Sequence, residues 1–404
     1  MWWWIVFVFG WIVFLAWSYK LLPIFSAAGH RTLRRFSERL SDPVDWPLIS
    51  VMVPARDEGP NISAGLKSLL ASDYPRLEII AINDRSRDNT GRVMDELAAT
   101  DSRLRVIHVQ ELPNGWLGKN HAMHLGQLAA RGEWLLFTDG DVVFERDAVR
   151  RAVRYAISER LDMLTLFPHM IPGGYWENAV VVFFSLAFMA GMQPNKVRNP
   201  RIKSAYVGVG AFNLVRRTAY DCTGGHANLA MEILDDVRLG QMLKDHDFRC
   251  DILTAGPSVS VRWQHSLWGA IKGLEKNGFA ALQFSLSSLI LMTIVLASGV
   301  LIPYIVPCIF PDWRASGYLA TIVVMHVTYG YLSWTMARSY WLWLAFPVAS
   351  LMTQFAFVRS GWVTLRQGGV RWRDTFYPLD VLRANVYQSP QTATTQRAKT
   401  PQNV

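Results

Sequence analysis

The 404 residues include 41 Lys and Arg against 32 Asp and Glu, and 51% are hydrophobic while only 18% are charged. That charge content is below the roughly 25% usual in soluble domains, and together with the apolar fraction it excludes intrinsic disorder. Three scattered cysteines, Cys222, Cys250 and Cys308, support neither a disulfide framework nor a thiolate zinc site. The net charge of +9 favours polyanionic neighbours such as acidic head groups or phosphorylated ligands. Lys and Arg gather near apolar stretches without a basic groove pattern, so nucleic acid is not an expected partner.

Residues 1–19 read MWWWIVFVFGWIVFLAWSY, with no charged side chain. This reaches a bilayer-spanning length, with Trp and Tyr at both ends, and it lacks the cleavage site of a signal peptide. Residues 1–22 are therefore expected to be an anchor and 23–47 a basic juxtamembrane linker. Lys20, Arg31, Arg34, Arg35 and Arg39 follow the apolar run, which places the N-terminus outside and the chain beyond it in the cytoplasm.

Residues 48–276 read as a soluble α/β domain. Apolar runs at Leu48–Val53, Leu77–Ile82, Leu104–Val109 and Trp134–Thr138 predict buried strands, and the patterns at Asn61–Ala71, Asn89–Ala99 and Asn120–Ala130 predict helices between them. This alternation predicts a parallel sheet with a ligand beyond the carboxyl ends of its strands. Three of those ends are polar: Pro54-Ala55-Arg56-Asp57-Glu58, Asn83-Asp84-Arg85-Ser86 and Thr138-Asp139-Gly140-Asp141. Asp139 and Asp141, one residue apart, suit a shared hard cation, Mg2+ or Mn2+, with substrate phosphates completing its shell. No phosphate-binding loop ending in Gly-Lys-Ser/Thr occurs, and Gly208-Val209-Gly210 lacks the third glycine and the position of a dinucleotide fingerprint. The uncharged run Ala179–Pro194 is short for a span and reads either as a core helix or as an interfacial one.

Three more uncharged windows follow at Asn277–Pro311, Ala315–Ala337 and Ser339–Val358, within a C-terminal membrane region taken as 277–358. Three crossings would carry the basic segment 359–388 outside, against the charge rule. The first window is long enough for a tight hairpin; otherwise one of the three is re-entrant. Residues 389–404, rich in Gln, Thr and Pro, read as a disordered tail.

The succession VPARDE, NDRSRDNT, TDGD and ILDDVRLG resembles that of family 2 glycosyltransferases with the GT-A fold, a Rossmann-like nucleotide-diphospho-sugar transferase domain. The likeness extends over about residues 48–280. It implies that Pro54, Arg56 and Glu58 line the base and ribose pocket of a nucleotide-sugar, usually a UDP-sugar, and that Asp84 bonds the nucleoside. Asn83 stands where the family usually has an acid. Asp139 would meet the ribose and Asp141 the metal, while Asp236, after Asp235, would be the catalytic base. Gly208 and Gly210 would either let backbone approach the acceptor or serve a structural turn.

Gly115-Trp116-Leu117-Gly118-Lys119-Asn120 is similar to a stretch of the branch that acts on lipids. There Lys119, at a helix start, either attracts the donor diphosphate or is a solvated surface lysine. Arg262-Trp263 lies where polysaccharide synthases carry Gln-x-x-Arg-Trp, but Val259 replaces the Gln, which disfavours a processive polymerase. The run RWQHSLWGAIKGLEKNGF resembles instead enzymes acting on carotenoid, hopanoid or ceramide-type lipids. Arg262 would then bind the diphosphate and Trp263 the sugar or acceptor, with His265 either in the metal shell or an ordinary interfacial histidine.

These readings imply an inverting transferase in a bacterial inner membrane, with a cytoplasmic site, a nucleotide-sugar donor and a membrane lipid acceptor. A polyprenyl-phosphate sugar synthase is the rival within the fold, and a non-catalytic scaffold gathering anionic lipids is the rival outside it. Oligomeric state is not legible.

Overall fold

Every residue of Ile49–Ala55 is buried, as a strand flanked by others on both edges and covered on both faces requires. It is β1 of a computed structural model that describes residues 2–337 and 339–389; the tail expected at 389–404 lies, Ser389 apart, outside the described residues. Seven further strands complete one sheet: β2 Leu77–Asp84, β3 Leu104–Val109, β4 Trp134–Phe137, β5 Val143–Phe144, β6 Met163–Met170, β7 Asn213–Arg216 and β8 Cys250–Val261. Their order is β3-β2-β1-β4-β7-β6-β8-β5.

The four strands expected from sequence form the parallel half, β1 between β2 and β4 and β3 beyond β2. Beyond these four the sheet is mixed: β7 runs antiparallel to β4, β6 to β7 and β5 to β8. An antiparallel neighbour needs no helical crossover, and the sheet is extended by short or interrupted strands. β7 has four residues, β6 contains Pro168, and β8 contains Gly256 at φ 57°. The helices Gly59–Leu70, Thr90–Ala98 and Gly118–Ala129 follow β1, β2 and β3, close to the predicted spans. The register sets Ala55 opposite Asn83, and the Thr138 amide donates to the Met52 carbonyl, so the polar ends of β1, β2 and β4 share one edge.

The chain divides into two units. One holds the sheet, with residues 31–169, 196–261 and the segment from Asn385; the other groups residues 1–30, 170–195 and 262–384. The helix Tyr175–Met192, inside the interval 48–276, therefore groups with the apolar helices. In that second unit the window Asn277–Pro311 is not a hairpin of two spans. It holds the end of Leu267–Ala281, a break with Gln283 and Phe284 at positive φ, and one helix, Leu286–Ile309, capped by the Ser285 side chain. Ser316–Ala337 and Phe346–Gln367 follow, then the hairpin Gly369–Trp372 with Thr375–Pro378.

Among the described residues four helices are long and apolar enough to cross a membrane: Trp3–Phe25, Tyr175–Val197, Leu286–Ile309 and Trp341–Gln367. Ser316–Ala337, slightly less apolar, packs along the first helix through small residues. A Cβ on Gly317 would lie 2.5 Å from the Gly10 backbone, and the Tyr318 hydroxyl donates to the Val6 carbonyl at 3.1 Å. In lipid such close approach supplies the association that water-driven burial cannot. Gly317→Leu is expected to lower the thermal unfolding midpoint of the detergent-solubilised protein. Gly191→Ala, whose Cβ meets nothing within 4 Å, is expected to leave that midpoint unchanged or raise it.

Candidate active site

The polar end of β4 and the start of the helix Asp235–Asp245 meet at the ammonium of Lys119. This residue opens the helix Gly118–Ala129, and its Nζ lies 2.8 Å from Asp139 Oδ1 and 3.6 Å from Asp235 Oδ2. Burial works against its charge, but the carboxylates of Asp139, Asp235 and Asp236 outweigh that and raise its pKa. Lys119 is therefore a fixed cation. Asp139 comes from the end of β4, held where its amide donates to the Gly210 carbonyl. Asp235 and Asp236 form the first turn of the helix Asp235–Asp245, where unsatisfied N–H groups and the helix dipole favour acids.

The remaining acids are short of positive charge. Burial first, then the neighbouring Asp139 and Glu58, push Asp141 up to about 7. Burial and the adjacent Asp235 raise Asp236 to about 6, with Lys119 and the Val237 amide pulling the other way. The Val237 amide donates to Asp236 Oδ1 at 2.8 Å. A carboxyl held near neutrality is suited to accept a proton.

Gly208 and Gly210 sit on the segment leading into β7, against the protein's own acids. A Cβ on Gly208 would overlap the Asp236 carbonyl, and one on Gly210 would lie 2.5 Å from Asp139 Oδ2. Their missing side chains let the strand end and the acidic helix approach each other. Pro54 is buried at the end of β1. Arg56 is mostly buried, its Nε 3.9 Å from Asp57, and Glu58 accepts a bond from Asn61 while its own amide donates to Thr90 Oγ1. Asp84, buried at the end of β2, accepts from Arg85 Nε at 2.7 Å. Asn83 holds its turn by accepting from the Ser86 amide and contacting His108.

Among the described residues no three His, Cys, Asp or Glu side chains are grouped to cage a metal ion unaided. His265 belongs to the helical unit and is exposed. Two neighbouring carboxylates still fit a hard divalent cation that takes its other ligands from water and phosphate.

Arg262 and Trp263 belong to the helical unit. Arg262 pairs with the buried Glu177 at 3.2 Å and donates to the carbonyls of Pro172 and Gln264. Trp263 stacks on Phe184, ring centroids 5.0 Å apart and planes within 16°. It also lines a recess with Ile171, Glu177, Asn178, Gln264 and Met336.

Sequence reasoning missed the residue that fixes the approach to the acidic helix. The buried amide of Asn120 donates to the carbonyls of Leu229 and Glu232, at 2.5 and 2.8 Å, and the Leu117 amide donates to Ala230. These bonds pin the loop before Asp235 to the helix that carries Lys119. The signal was its place directly after Lys119. His226, buried and bonded to the Tyr220 hydroxyl, lies 3.9 Å from Asp235 and was also missed.

Residues 50–224 match the family model described as "Glycosyl transferase family 2". That stretch is a family 2 glycosyltransferase domain, which marks the chain as a glycosyltransferase. Over 340 residues it is 24% identical to the 4,4'-diaponeurosporenoate glycosyltransferase of Staphylococcus aureus (strain USA300), covering 82% of this chain and 88% of that protein. Among solved structures, the mannosyltransferase PcManGT from Pyrobaculum calidifontis in complex with GDP-Man and Mn2+ aligns over 86% of this chain and 99% of its own. The identity is 16% and the TM-score 0.49. S. aureus TarS aligns over 75% of this chain and 55% of its own, at 14% identity and a TM-score of 0.41.

Asn120→Ala is expected to cost about 1–3 kcal/mol of stability by leaving buried carbonyls unsatisfied, measured by denaturant unfolding. Its loss of transfer rate should exceed that of a surface control such as Gln110→Ala.

Proposed function

We propose that the chain is an integral membrane enzyme that transfers a sugar from a nucleotide-sugar, a UDP-sugar in the first instance, to a hydroxyl of a membrane lipid. The site faces the cytoplasm. The observation that carries this reading is the cluster in which Lys119 joins the Asp-x-Asp strand end to the paired acids of the next motif, 2.8 Å from Asp139 and 3.6 Å from Asp235. Donor machinery and a proton acceptor thereby share one crevice.

The chain's own groups divide the work. Arg56, Glu58 and Asp84, at neighbouring strand ends, are positioned for the nucleoside. Lys119, a permanent cation at a helix N-terminus, attracts the diphosphate and fixes the orientation of Asp139 and Asp235. Asp141, with Asp139, would hold Mg2+ or Mn2+, which when bound neutralises diphosphate charge as the nucleotide departs. Asp235 raises the proton affinity of Asp236, and Asp236 takes the proton from the acceptor hydroxyl as its oxygen attacks the anomeric carbon. A single displacement inverts that carbon.

Membrane residence is supported by the apolar helices and by the basic residues that follow the first of them. An acceptor of carotenoid or similar lipid type is supported by the name of the S. aureus relative and by the motif run that begins at Arg262-Trp263. We assign Trp263, in its recess, to the acceptor side. Arg262 reaches a diphosphate only by giving up part of its bonding to Glu177.

Two outcomes test this. Incubation of membranes with labelled UDP-glucose, UDP-N-acetylglucosamine or GDP-mannose should yield a labelled lipid whose formation EDTA stops and Mn2+ or Mg2+ restores; no labelled lipid with any donor contradicts the reading. Asp236→Asn should abolish transfer while donor affinity stays within a few-fold. In the unaltered enzyme kcat should fall tenfold per pH unit below about 6, because the base must be unprotonated. Full activity of Asp236→Asn would favour an acceptor that is already ionised, as a polyprenyl phosphate is.

A further inference from the structure

Apolar length selects Tyr175–Val197 and Trp341–Gln367 among four possible spans and omits Ser316–Ala337. The connectivity of the sheet requires a different set. β6 and β7 are hydrogen-bonded neighbours, with Met163 opposite Val215 and Thr165 opposite Asn213, and the helix Tyr175–Met192 lies between them in sequence. One crossing there would put two paired strands in different compartments.

The same parity governs the C-terminal half. Val261 ends β8 in the sheet unit, and Tyr387 is bonded to that unit again: its hydroxyl donates to Asp245 at 3.2 Å and its amide to Glu232. The number of crossings between Val261 and Tyr387 is therefore even. Three long apolar helices stand there, Leu286–Ile309, Ser316–Ala337 and Phe346–Gln367.

Packing identifies the one that does not cross. Leu286–Ile309 runs antiparallel along the first helix, with the Trp17 indole donating to the Gly299 carbonyl and Trp3 edge-on to Phe310. Ser316–Ala337 runs parallel to it, from Gly317 on Gly10 to Tyr331 on Phe25. Phe346–Gln367 follows neither. It begins with Phe346 against His326 and Tyr329, shortly before Tyr331, and it reaches Leu289, in the first turn of Leu286–Ile309, at Gly361. The first contact lies near the middle of the three-helix bundle, where His326 meets Tyr304, and the second toward its Phe25 end.

Its surface fits lying in a leaflet. Val348, Leu351, Phe355, Val358, Trp362 and Leu365 are exposed and recur every three or four residues, forming one stripe. The buried face carries Ser350, Thr353, Gln354, Ser360 and Thr364. Apolar outside and polar inside is the reverse of a helix facing water. Arg359 lies over the Trp268 ring and Arg366 over Trp362, a pairing suited to the head-group boundary.

Resting on the membrane reading above, we infer that the chain crosses three times, through Trp2–His30, Leu286–Ile309 and Ser316–Ala337. Phe346–Gln367 lies along the cytoplasmic leaflet with its stripe in the acyl chains, and the segment at Tyr387 returns to the cytoplasm.

The test needs no activity. A topology reporter fused after Ser389 should report the cytoplasm. In a background without Cys222, Cys250 and Cys308, Pro311→Cys should react with an impermeant maleimide in intact spheroplasts, and Gly174→Cys and Pro200→Cys only after permeabilisation. Nitroxides at Leu351, Val358 and Leu365 in phosphatidylethanolamine–phosphatidylglycerol liposomes should show similar depths. A crossing helix would spread the outermost two by about 20 Å at ~1.5 Å per residue. An external tail, an external Pro200 or graded depths would overturn the inference. Release of the chain from membranes by alkaline wash would instead remove the membrane reading beneath it, and the inference with it.

Discussion

One buried ammonium organises the site. Lys119 draws Asp139 from a strand end and Asp235 from a helix start to its two sides. A lysine among carboxylates loses its hydration but gains attraction in a medium of low effective dielectric, and the gain wins here. The acids that it does not contact directly then keep their excess negative charge. Asp141 and Asp236 shift toward neutrality, which suits one to a metal and the other to a proton. The roles proposed for these carboxyl groups follow from where that positive charge sits.

The rest of the sheet unit serves that convergence. The parallel strands bring their ends to one edge, Gly208 and Gly210 let their segment pack directly against Asp236 and Asp139, and Asn120 ties the preceding loop to the Lys119 helix. The conformational freedom of glycine is not the issue at 208 and 210. Space is, because a methyl group there would meet a carbonyl or a carboxylate.

Much of this was legible in the sequence where local pattern and tertiary role coincide. β1 to β4 were found because fully buried strands are uninterrupted apolar runs, and the acids because turns at strand ends are short and polar. β5 to β8 were not, since they are two to twelve residues long, carry Pro168 or Gly256, and owe their place to neighbours distant in sequence. Lys119 remained undecided between surface and site because its partners come from residues 139 and 235. The pairing of Arg262 with Glu177 was not legible because the two stand 85 residues apart. The helix count stayed open for a related reason: hydropathy measures composition, whereas the pairing of strands decides which segments must share a compartment.

The central claim is a single displacement, driven by a proton acceptor in the crevice that holds the donor. It is tested most directly by the configuration of the transferred sugar. Nuclear magnetic resonance of the purified glycolipid formed from an α-linked nucleotide-sugar should show the β anomer from the first turnover. An α-linked product would require two displacements or a front-face reaction, and would contradict the assignment of Asp236 as the base.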